Sequence, residues 1–183
     1  MTQLTTKERR LQPVTIVHTG DGKGKTTAAL GMAMRAWAQG WDVGVYQFVK
    51  SAKWRTGEQV AFAKLGGVTW ERMGSGWSFS RAHKDTEASA LAREGWAHVR
   101  VGLAEERHQF WLLDEFTYPL RWGWLDIDEV VDTLLRRPGT QHVVMTGRDA
   151  PHALIEAADL VTEMKKIKHP FDKGQRGQAG IEW

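Results

Sequence analysis

The sequence contains no cysteine among its 183 residues. This absence excludes a disulfide framework, a thiolate zinc site, an iron–sulfur cluster and a cysteine nucleophile. Any metal ion that the protein binds must therefore be held by oxygen or imidazole ligands.

Long hydrophobic runs are also missing. The N-terminal stretch MTQLTTKERRLQPV has no apolar run of signal-peptide length, and no later segment approaches the roughly 20 apolar residues that span a bilayer. We therefore expect a soluble, cytoplasmic protein with no membrane partner.

The chain has little excess charge of either sign. Its 25 Lys and Arg residues oppose 22 Asp and Glu residues, which gives a formal net charge of +3 at pH 7. Nucleic-acid-binding proteins usually present a contiguous basic face, so this weak excess argues against nucleic acid as a partner. The basic residues do form short clusters at 7–10, 50–55 and 165–168, and each cluster fits either an anionic ligand or a solvated surface.

Short apolar runs rich in β-branched residues alternate with helical patterns along the chain. The predicted strands are VTIVHT, DVGVYQFV, GVTWERM, FWLLDE, QHVVMTG and DLVTEM, and the predicted helices cover residues 25–39, 56–65, 85–109, 126–137 and 150–157. This alternation predicts an α/β fold with a mainly parallel sheet and helices on both faces. Because no repeat or linker divides the chain, we expect a flexible basic arm at 1–12 and one domain at 13–183.

Ligands of such folds bind beyond the carboxyl ends of the strands, so the loops after the first, fourth and fifth predicted strands are the candidate functional loops. The loop after the first strand consists of Thr19, Gly20, Asp21, Gly22, Lys23, Gly24, Lys25, Thr26 and Thr27. Its backbone N–H groups and the following helix N-terminus would bind phosphate, and Lys25 would add a full positive charge. Thr26 would offer a hydroxyl to Mg²⁺.

This strand–loop–helix context predicts a P-loop NTPase-like, RecA-like domain. The usual P-loop opens with glycine at the position that Thr19 holds, so we expect a modified phosphate cradle. The alternative is a glycine turn that only caps a helix.

Two acidic residues, Asp114 and Glu115, end the fourth predicted strand. A P-loop protein needs a carboxylate on a neighbouring strand to hold Mg²⁺ or Mn²⁺, directly or through water. Two acids at the end of an apolar strand are unfavourable unless one meets a cation, although a merely exposed strand end is the alternative. Which of the two acids contacts the metal stays open at this point.

These motifs resemble the P-loop class of ATP:corrinoid adenosyltransferases. The resemblance rests on TGDGKGKTTAALG, GVYQFVK, MGSGWSF, LLDEFTY, RPGTQHVVMTGR and ADLVTEMKKIKHPFDKGQRGQAGIEW, which cover nearly the whole chain in order. It implies that a reduced cobalt(I) corrinoid attacks the 5′ carbon of ATP and releases tripolyphosphate, in adenosylcobalamin biosynthesis or salvage. Cobalt(I) is then the nucleophile, and no general base is required.

The resemblance also implies roles for individual residues. Lys25, Glu115 and Arg148 would be catalytic, and Thr26, Asp114 and Glu115 would hold the metal. ATP would be bound by Arg148 and by the loop residues Gly20, Asp21, Gly22, Lys23, Gly24, Lys25, Thr26 and Thr27. Arg148 follows the fifth predicted strand, where a helix-capping or surface role is the alternative.

Trp77 and Phe79 match the aromatic residues that, in the family, displace the lower ligand of the corrinoid. From the residues alone, a Trp and a Phe two positions apart indicate one face of a strand. The resemblance further implies an electron donor such as a flavoprotein and a second copy of the chain in a homodimer.

Three other functions would use the same phosphate loop. A small-molecule kinase would transfer the γ-phosphoryl group and yield ADP, whereas an adenosyltransferase yields tripolyphosphate. A nucleotide switch would change partners on binding ATP. An ATP-driven nucleic-acid protein would need the contiguous basic face that the net charge does not favour.

Overall fold

A single parallel sheet organises the chain. The computed structural model describes residues 5–6, 12–49, 56–74 and 86–182. Within them, six strands lie in the order β3-β2-β4-β5-β1-β6, and every neighbouring pair is parallel. The strands are β1 (Thr15–Thr19), β2 (Val43–Gln47), β3 (Val68–Arg72), β4 (Phe110–Asp114), β5 (His142–Thr146) and β6 (Leu160–Glu163). The predicted α/β class is confirmed, whereas most of the predicted arm at 1–12 lies outside the described residues.

Helices connect successive strands. They are α1 (Lys25–Ala38), α2 (Gly57–Leu65), α3 (Thr86–Ala104), α4 (Thr117–Arg121), α5 (Ile127–Arg136) and α6 (His152–Ala157), and a 3₁₀ turn covers Pro170–Lys173. None of the described helices is both long and apolar enough to cross a bilayer.

Two helical predictions need correction. The helix predicted over 85–109 ends at Ala104, because Glu106 adopts a left-handed φ of 54° and the chain turns there. The five-residue helix α4 was not predicted, since its sequence TYPLR is too short to show helical periodicity.

Both faces of the sheet are covered, and alternate side chains of each central strand face opposite ways. In β4, Phe110 and Leu112 pack with α1 and α2, while Trp111 and Leu113 pack with α3, α5 and α6. Because β4 is buried on both faces, its sequence is apolar without interruption until Asp114.

A buried polar cluster lies at the opposite end of the sheet from the candidate loops. The hydroxyl of Tyr46 lies 2.9 Å from Nε2 of His108, and the indole N–H of Trp111 donates to the Gln141 side-chain oxygen at 2.9 Å. Burial raises the pKa of Tyr46 to about 12 and lowers the pKa of His108. The phenol therefore stays protonated and donates to a neutral imidazole.

Acid should destabilise the protein partly through His108. Its pKa is lower in the folded chain than the value of about 6.5 expected after unfolding, so the unfolded state binds the proton more tightly. The free energy of unfolding should be constant with respect to this group above pH ~6.5 and fall as the pH drops toward the folded-state pKa. Urea unfolding of wild type and His108→Gln between pH 8 and pH 5 measures the difference.

The variant should lose less stability than wild type over that range, although burial also lowers the pKa of His142 and part of the slope should remain. His152→Gln is the matched control, because the His152 side chain is 86% exposed. Equal slopes for wild type and His108→Gln would contradict the assignment.

Candidate active site

The loops that follow β1, β4 and β5 meet at the carboxyl edge of the sheet. Thr26, at the start of α1, donates a hydrogen bond of 2.7 Å to Oδ1 of Asp114 at the end of β4. Thr146, at the end of β5, donates to the same oxygen at 2.8 Å. The three loops selected from the sequence therefore form one site.

The glycine-rich loop takes a conformation that requires its glycines. Gly20 and Gly24 have positive φ angles of 94° and 106°. Gly22 donates its N–H to the carbonyl of Met164 at 2.6 Å, and a Cβ atom on Gly20 or Gly22 would approach that carbonyl to 2.5 or 2.7 Å. The loop thus lies directly on the chain that leaves β6, and a side chain at either glycine would displace it.

Thr19 occupies the position at which the usual phosphate loop has its first glycine. It is the last residue of β1, and its hydroxyl accepts a hydrogen bond of 3.1 Å from the N–H of Ala150. Gly20, one position later, supplies the left-handed backbone. The opening of the loop is therefore shifted by one residue, and the threonine ties it to the loop after β5.

The Lys25 ammonium lies across the loop, with Nζ 2.6 Å from the carbonyl oxygens of both Gly20 and Gly22. Burial lowers the pKa of Lys25, and the charges of Arg148 and Lys23 lower it further, against the opposing effect of Asp21 and Glu115. Positive charge is therefore concentrated in a partly dehydrated place, which favours a polyanionic ligand.

Lys23 is held by the C-terminal segment. Its ammonium forms an ion pair with the carboxylate of Glu182, and Nε2 of His169 lies 3.9 Å from the other oxygen of that carboxylate. Sequence reasoning did not identify Glu182, because 159 positions separate it from Lys23 and nothing in the spacing relates them.

Asp114 is fully buried and accepts hydrogen bonds at both of its carboxylate oxygens. Oδ1 accepts from Thr26 and Thr146, and Oδ2 accepts from the side-chain amide of Gln47 at 2.9 Å. These three donors fix the orientation of the Asp114 side chain and take the place of water around its oxygens.

Glu115 has a different environment from its neighbour. Its backbone is left-handed, with φ of 60°, and its N–H donates to the Thr146 hydroxyl at 2.9 Å. The side chain is partly exposed, and its charge acts on Lys25 and helps to raise the pKa of Tyr118, which burial chiefly brings to about 12. The left-handed backbone therefore takes Glu115 out of the strand, and its charge is near enough to act on Lys25 in the phosphate loop.

Arg148 lies on the same side of the sheet. Its guanidinium is 3.8 Å from the carboxylate of Asp21 in the phosphate loop, and its carbonyl accepts a hydrogen bond of 2.8 Å from the Thr117 hydroxyl. Gly147 permits this contact, since a Cβ there would lie 2.0 Å from the Thr117 oxygen. The hydrogen bond from Thr117 fixes the backbone of Arg148, and its guanidinium lies beside the phosphate loop.

The donors at this edge fit Mg²⁺ or Mn²⁺ held together with phosphates. Thr26, Asp114 and Glu115 offer only oxygen atoms, the ligands that these hard cations prefer. Within the described part of the chain, no three His, Asp or Glu side chains gather into a separate metal cage. An ion at this site would therefore need phosphate oxygens and water to complete its coordination.

Gln47 and Thr146 contact Asp114 but were not among the predicted site residues. Each is a polar residue at the carboxyl end of a buried strand, in GVYQFVK and in HVVMTG respectively. That position was a usable signal, because a buried polar side chain needs a partner. The predicted corrinoid contacts Trp77 and Phe79 lie outside the described residues.

Comparisons of the sequence with a family model and with known relatives indicate one family. A family model described as ATP:corrinoid adenosyltransferase BtuR/CobO/CobP matches residues 12–183. The corrinoid adenosyltransferase of Escherichia coli (strain K12) is 40% identical over 170 residues, which are 93% of this chain and 85% of that protein. That of Pseudomonas aeruginosa is 40% identical over 171 residues, which are 93% and 83% of the two chains. The crystal structure of the flagellar accessory protein FlaH from Methanocaldococcus jannaschii is similar to this chain in its fold only. The TM-score is 0.57 and the sequence identity is 9%, over 87% of this chain and 76% of that chain.

Proposed function

The chain belongs to the ATP:corrinoid adenosyltransferase family, and we propose that the edge formed by Lys25, Thr26, Asp114, Glu115 and Arg148 is its ATP site. The protein is an enzyme that transfers the adenosyl group of ATP to a reduced corrinoid in cobalamin synthesis. The observation that carries the site assignment is the bond between the Thr26 hydroxyl and buried Asp114, because it places the phosphate loop and an acidic strand end in contact.

The phosphate loop would bind the triphosphate that leaves. Cobalt(I) forms its bond to C5′ with its own electron pair, and the C5′–O bond breaks with its electrons on the departing tripolyphosphate. The charge that develops there would be stabilised by the loop amides, the Lys25 ammonium and the Arg148 guanidinium. No described residue needs to remove a proton in this step.

The metal would join the phosphates to the two acids. Mg²⁺, when bound, neutralises part of the triphosphate charge. We assign Thr26 and Glu115 as its contacts, with Asp114 orienting the Thr26 hydroxyl, since both oxygens of Asp114 already accept hydrogen bonds whereas Glu115 is partly exposed.

A second copy of the chain would cover the apolar surface at one sheet edge. Strand β6 is exposed at all four residues, and the large apolar side chains exposed there and in the C-terminal segment are Leu160, Val161, Ile167, Phe171 and Ile181. An exposed edge strand that carries apolar side chains such as Leu160 and Val161 favours association with another chain. We therefore retain the homodimer as part of the proposal, together with a cytoplasmic location and an electron donor such as a flavoprotein.

The reaction products test the proposed function. The protein is mixed anaerobically with MgATP and chemically reduced cob(I)alamin, and the expected result is a light-sensitive alkylcobalt spectrum with one tripolyphosphate released per corrinoid. A kinase would instead produce ADP. Formation of ADP, or transfer of the γ-phosphorus to an acceptor, would contradict the proposal. Trp77 and Phe79 stay the predicted contacts of the corrinoid lower face.

A further inference from the structure

Gln47 lies at the centre of a hydrogen-bond chain that reaches from the phosphate loop to the edge strand β3. Its amide nitrogen donates to Oδ2 of Asp114 at 2.9 Å, and its amide oxygen accepts from the indole N–H of Trp70 at 3.1 Å. Gln47 is directly opposite Asp114 in the register of β2 and β4, and it is only 2% exposed. Both ends of the side chain are therefore in use.

The donors and acceptors of these side chains fix the direction of the hydrogen bonds through Gln47. An indole can only donate a hydrogen bond and a carboxylate can only accept one, so the amide of Gln47 cannot be reversed. Its nitrogen must face Asp114 and its oxygen must face Trp70. The orientation of Asp114 is thereby tied to a residue on the edge strand.

Asp114 in turn holds the Thr26 hydroxyl through Oδ1. If Oδ2 lost the Gln47 donor, one of the three hydrogen bonds that orient the buried carboxylate would be missing, and the position of the Thr26 oxygen would be less well fixed. The amide nitrogen of Gln47 bonds to Asp114, so we expect its effect on Thr26 to pass through Asp114.

We propose that Gln47 is a positioning residue for the site of the metal–triphosphate complex. Gln47 holds Asp114 against Thr26, and Trp70 in turn orients Gln47. The proposal rests on the proposed function, since it takes Thr26 as a contact of the metal. It also links the phosphate site to β3, the strand that precedes the predicted corrinoid contacts Trp77 and Phe79 in the sequence.

Binding of tripolyphosphate tests this role without the transfer reaction. Isothermal titration calorimetry compares its affinity in excess Mg²⁺ and in EDTA for wild type and Gln47→Met. Loss of the hydrogen bond from Gln47 to Asp114, which orients a metal contact, should weaken binding about 10-fold in Mg²⁺. Binding in EDTA should not change, because the loop amides and Lys25 remain in place.

Gln141→Met is a matched control at the other end of the sheet. Gln141 is also 2% exposed, and its oxygen also accepts from an indole, that of Trp111. Both variants should lower the thermal unfolding midpoint, but only Gln47→Met should lose the Mg²⁺-dependent affinity. If the two variants bind tripolyphosphate alike, or if Gln47→Met loses equal affinity in EDTA, the positioning role is wrong.

Trp70→Phe provides a second test if Gln47→Met fails to fold. It removes the indole donor and part of the ring of a partly exposed residue that packs near Phe62. Loss of one neutral hydrogen bond should weaken Mg²⁺-dependent binding roughly threefold. Unchanged binding by a folded Trp70→Phe would overturn the role assigned to Trp70.

Nuclear magnetic resonance gives a readout besides affinity. The indole N–H resonance of Trp70 should shift when wild type binds magnesium tripolyphosphate, and it should stay in place in Gln47→Met. The Trp111 indole, bonded to Gln141, is an internal reference that should not move. An unmoved Trp70 resonance in ligand-saturated wild type would overturn the link to β3.

Lys25→Ala separates failure of this inference from failure of the proposed site. If Lys25→Ala binds tripolyphosphate as tightly as wild type, the phosphate-loop assignment itself is wrong. If Lys25→Ala loses binding while Gln47→Met does not, the site stands and only the role of Gln47 is rejected.

Discussion

The rate of adenosyl transfer should fall by about 10³-fold when Lys25 is replaced by alanine. The ammonium is held inside the phosphate loop, 2.6 Å from the Gly20 and Gly22 carbonyl oxygens, where the leaving triphosphate would gain charge. Removal of one preorganised donor from such a site typically lowers kcat by about 10²–10³-fold, and a full charge in a partly dehydrated loop should be at the upper end. The anaerobic rate of alkylcobalt formation with cob(I)alamin measures the loss.

The same variant should remain folded. Burial lowers the pKa of Lys25, which means that the charged form is disfavoured by its folded surroundings. Its removal should therefore leave the thermal midpoint near the wild-type value or slightly above it, a pattern common at functional sites. Loss of activity with retained stability distinguishes a binding role from a structural one.

Lys23→Ala is the matched control for Lys25→Ala. Lys23 is two positions earlier in the same loop, but its side chain is 61% exposed and already paired with Glu182. An exposed charge should matter less, so we expect at most about a 10-fold loss of kcat/KM. The assignment would be contradicted if Lys25→Ala kept a tenth or more of wild-type kcat. It would also be contradicted if Lys23→Ala lost as much activity as Lys25→Ala.

The fold was predictable because each strand has its own local signal. The alternation of β-branched runs with helical patterns placed all six strands, and the uninterrupted apolar sequence of β4 correctly indicated a strand buried on both faces. The errors occurred where local periodicity is weak. Helix α3 ends at Ala104 through a left-handed turn at Glu106, a non-glycine residue that carries no C-cap signal.

The site was predictable only as far as its motifs are contiguous. The loop from Thr19 to Thr27 and the pair Asp114 and Glu115 could be placed because strand ends of a parallel sheet share one edge. Gln47 carried a signal, as a polar residue at the end of a buried strand, but nothing in the sequence identified Asp114, 67 positions away, as its partner. Glu182 carried none, since 159 positions separate it from Lys23. Such contacts depend on strand order and on the path of the C-terminal segment, which no local pattern encodes.

The strand order also explains why the two acids differ. Asp114 ends β4 between β2 and β5, so donors from both neighbouring strands, Gln47 and Thr146, reach its two oxygens. Glu115 is one residue beyond the ladder, where a left-handed backbone turns it outward. Of the two adjacent acids, one is therefore bonded to both neighbouring strands and the other is partly exposed.

Asp114→Asn should cost both stability and metal-dependent activity. Asparagine has the same size, but its amide nitrogen must face either the two threonine hydroxyls or the amide nitrogen of Gln47. If the asparagine oxygen faces the hydroxyls, which already donate there, its nitrogen meets the amide nitrogen of Gln47, which Trp70 prevents from reversing. If the asparagine nitrogen faces the hydroxyls instead, their own protons lose the acceptor that Asp114 provided. A buried donor without an acceptor should lower the free energy of unfolding by about 1–3 kcal/mol, measured by urea denaturation. Loss of the charge beside Thr26 should reduce kcat/KM in Mg²⁺ by about 10²-fold.

The double variant Asp114→Asn with Gln47→Glu separates these two effects. A glutamate in place of Gln47 can accept from the new asparagine and from the Trp70 indole, so most of the lost stability should return. The negative charge would then lie on β2, and the Thr26 hydroxyl would face a neutral amide, so kcat/KM should stay low at every Mg²⁺ concentration. Recovery of activity together with stability would mean that Asp114 serves only to complete a buried network. Activity that remains low in a restabilised chain would locate the requirement in the charge that Asp114 places against Thr26.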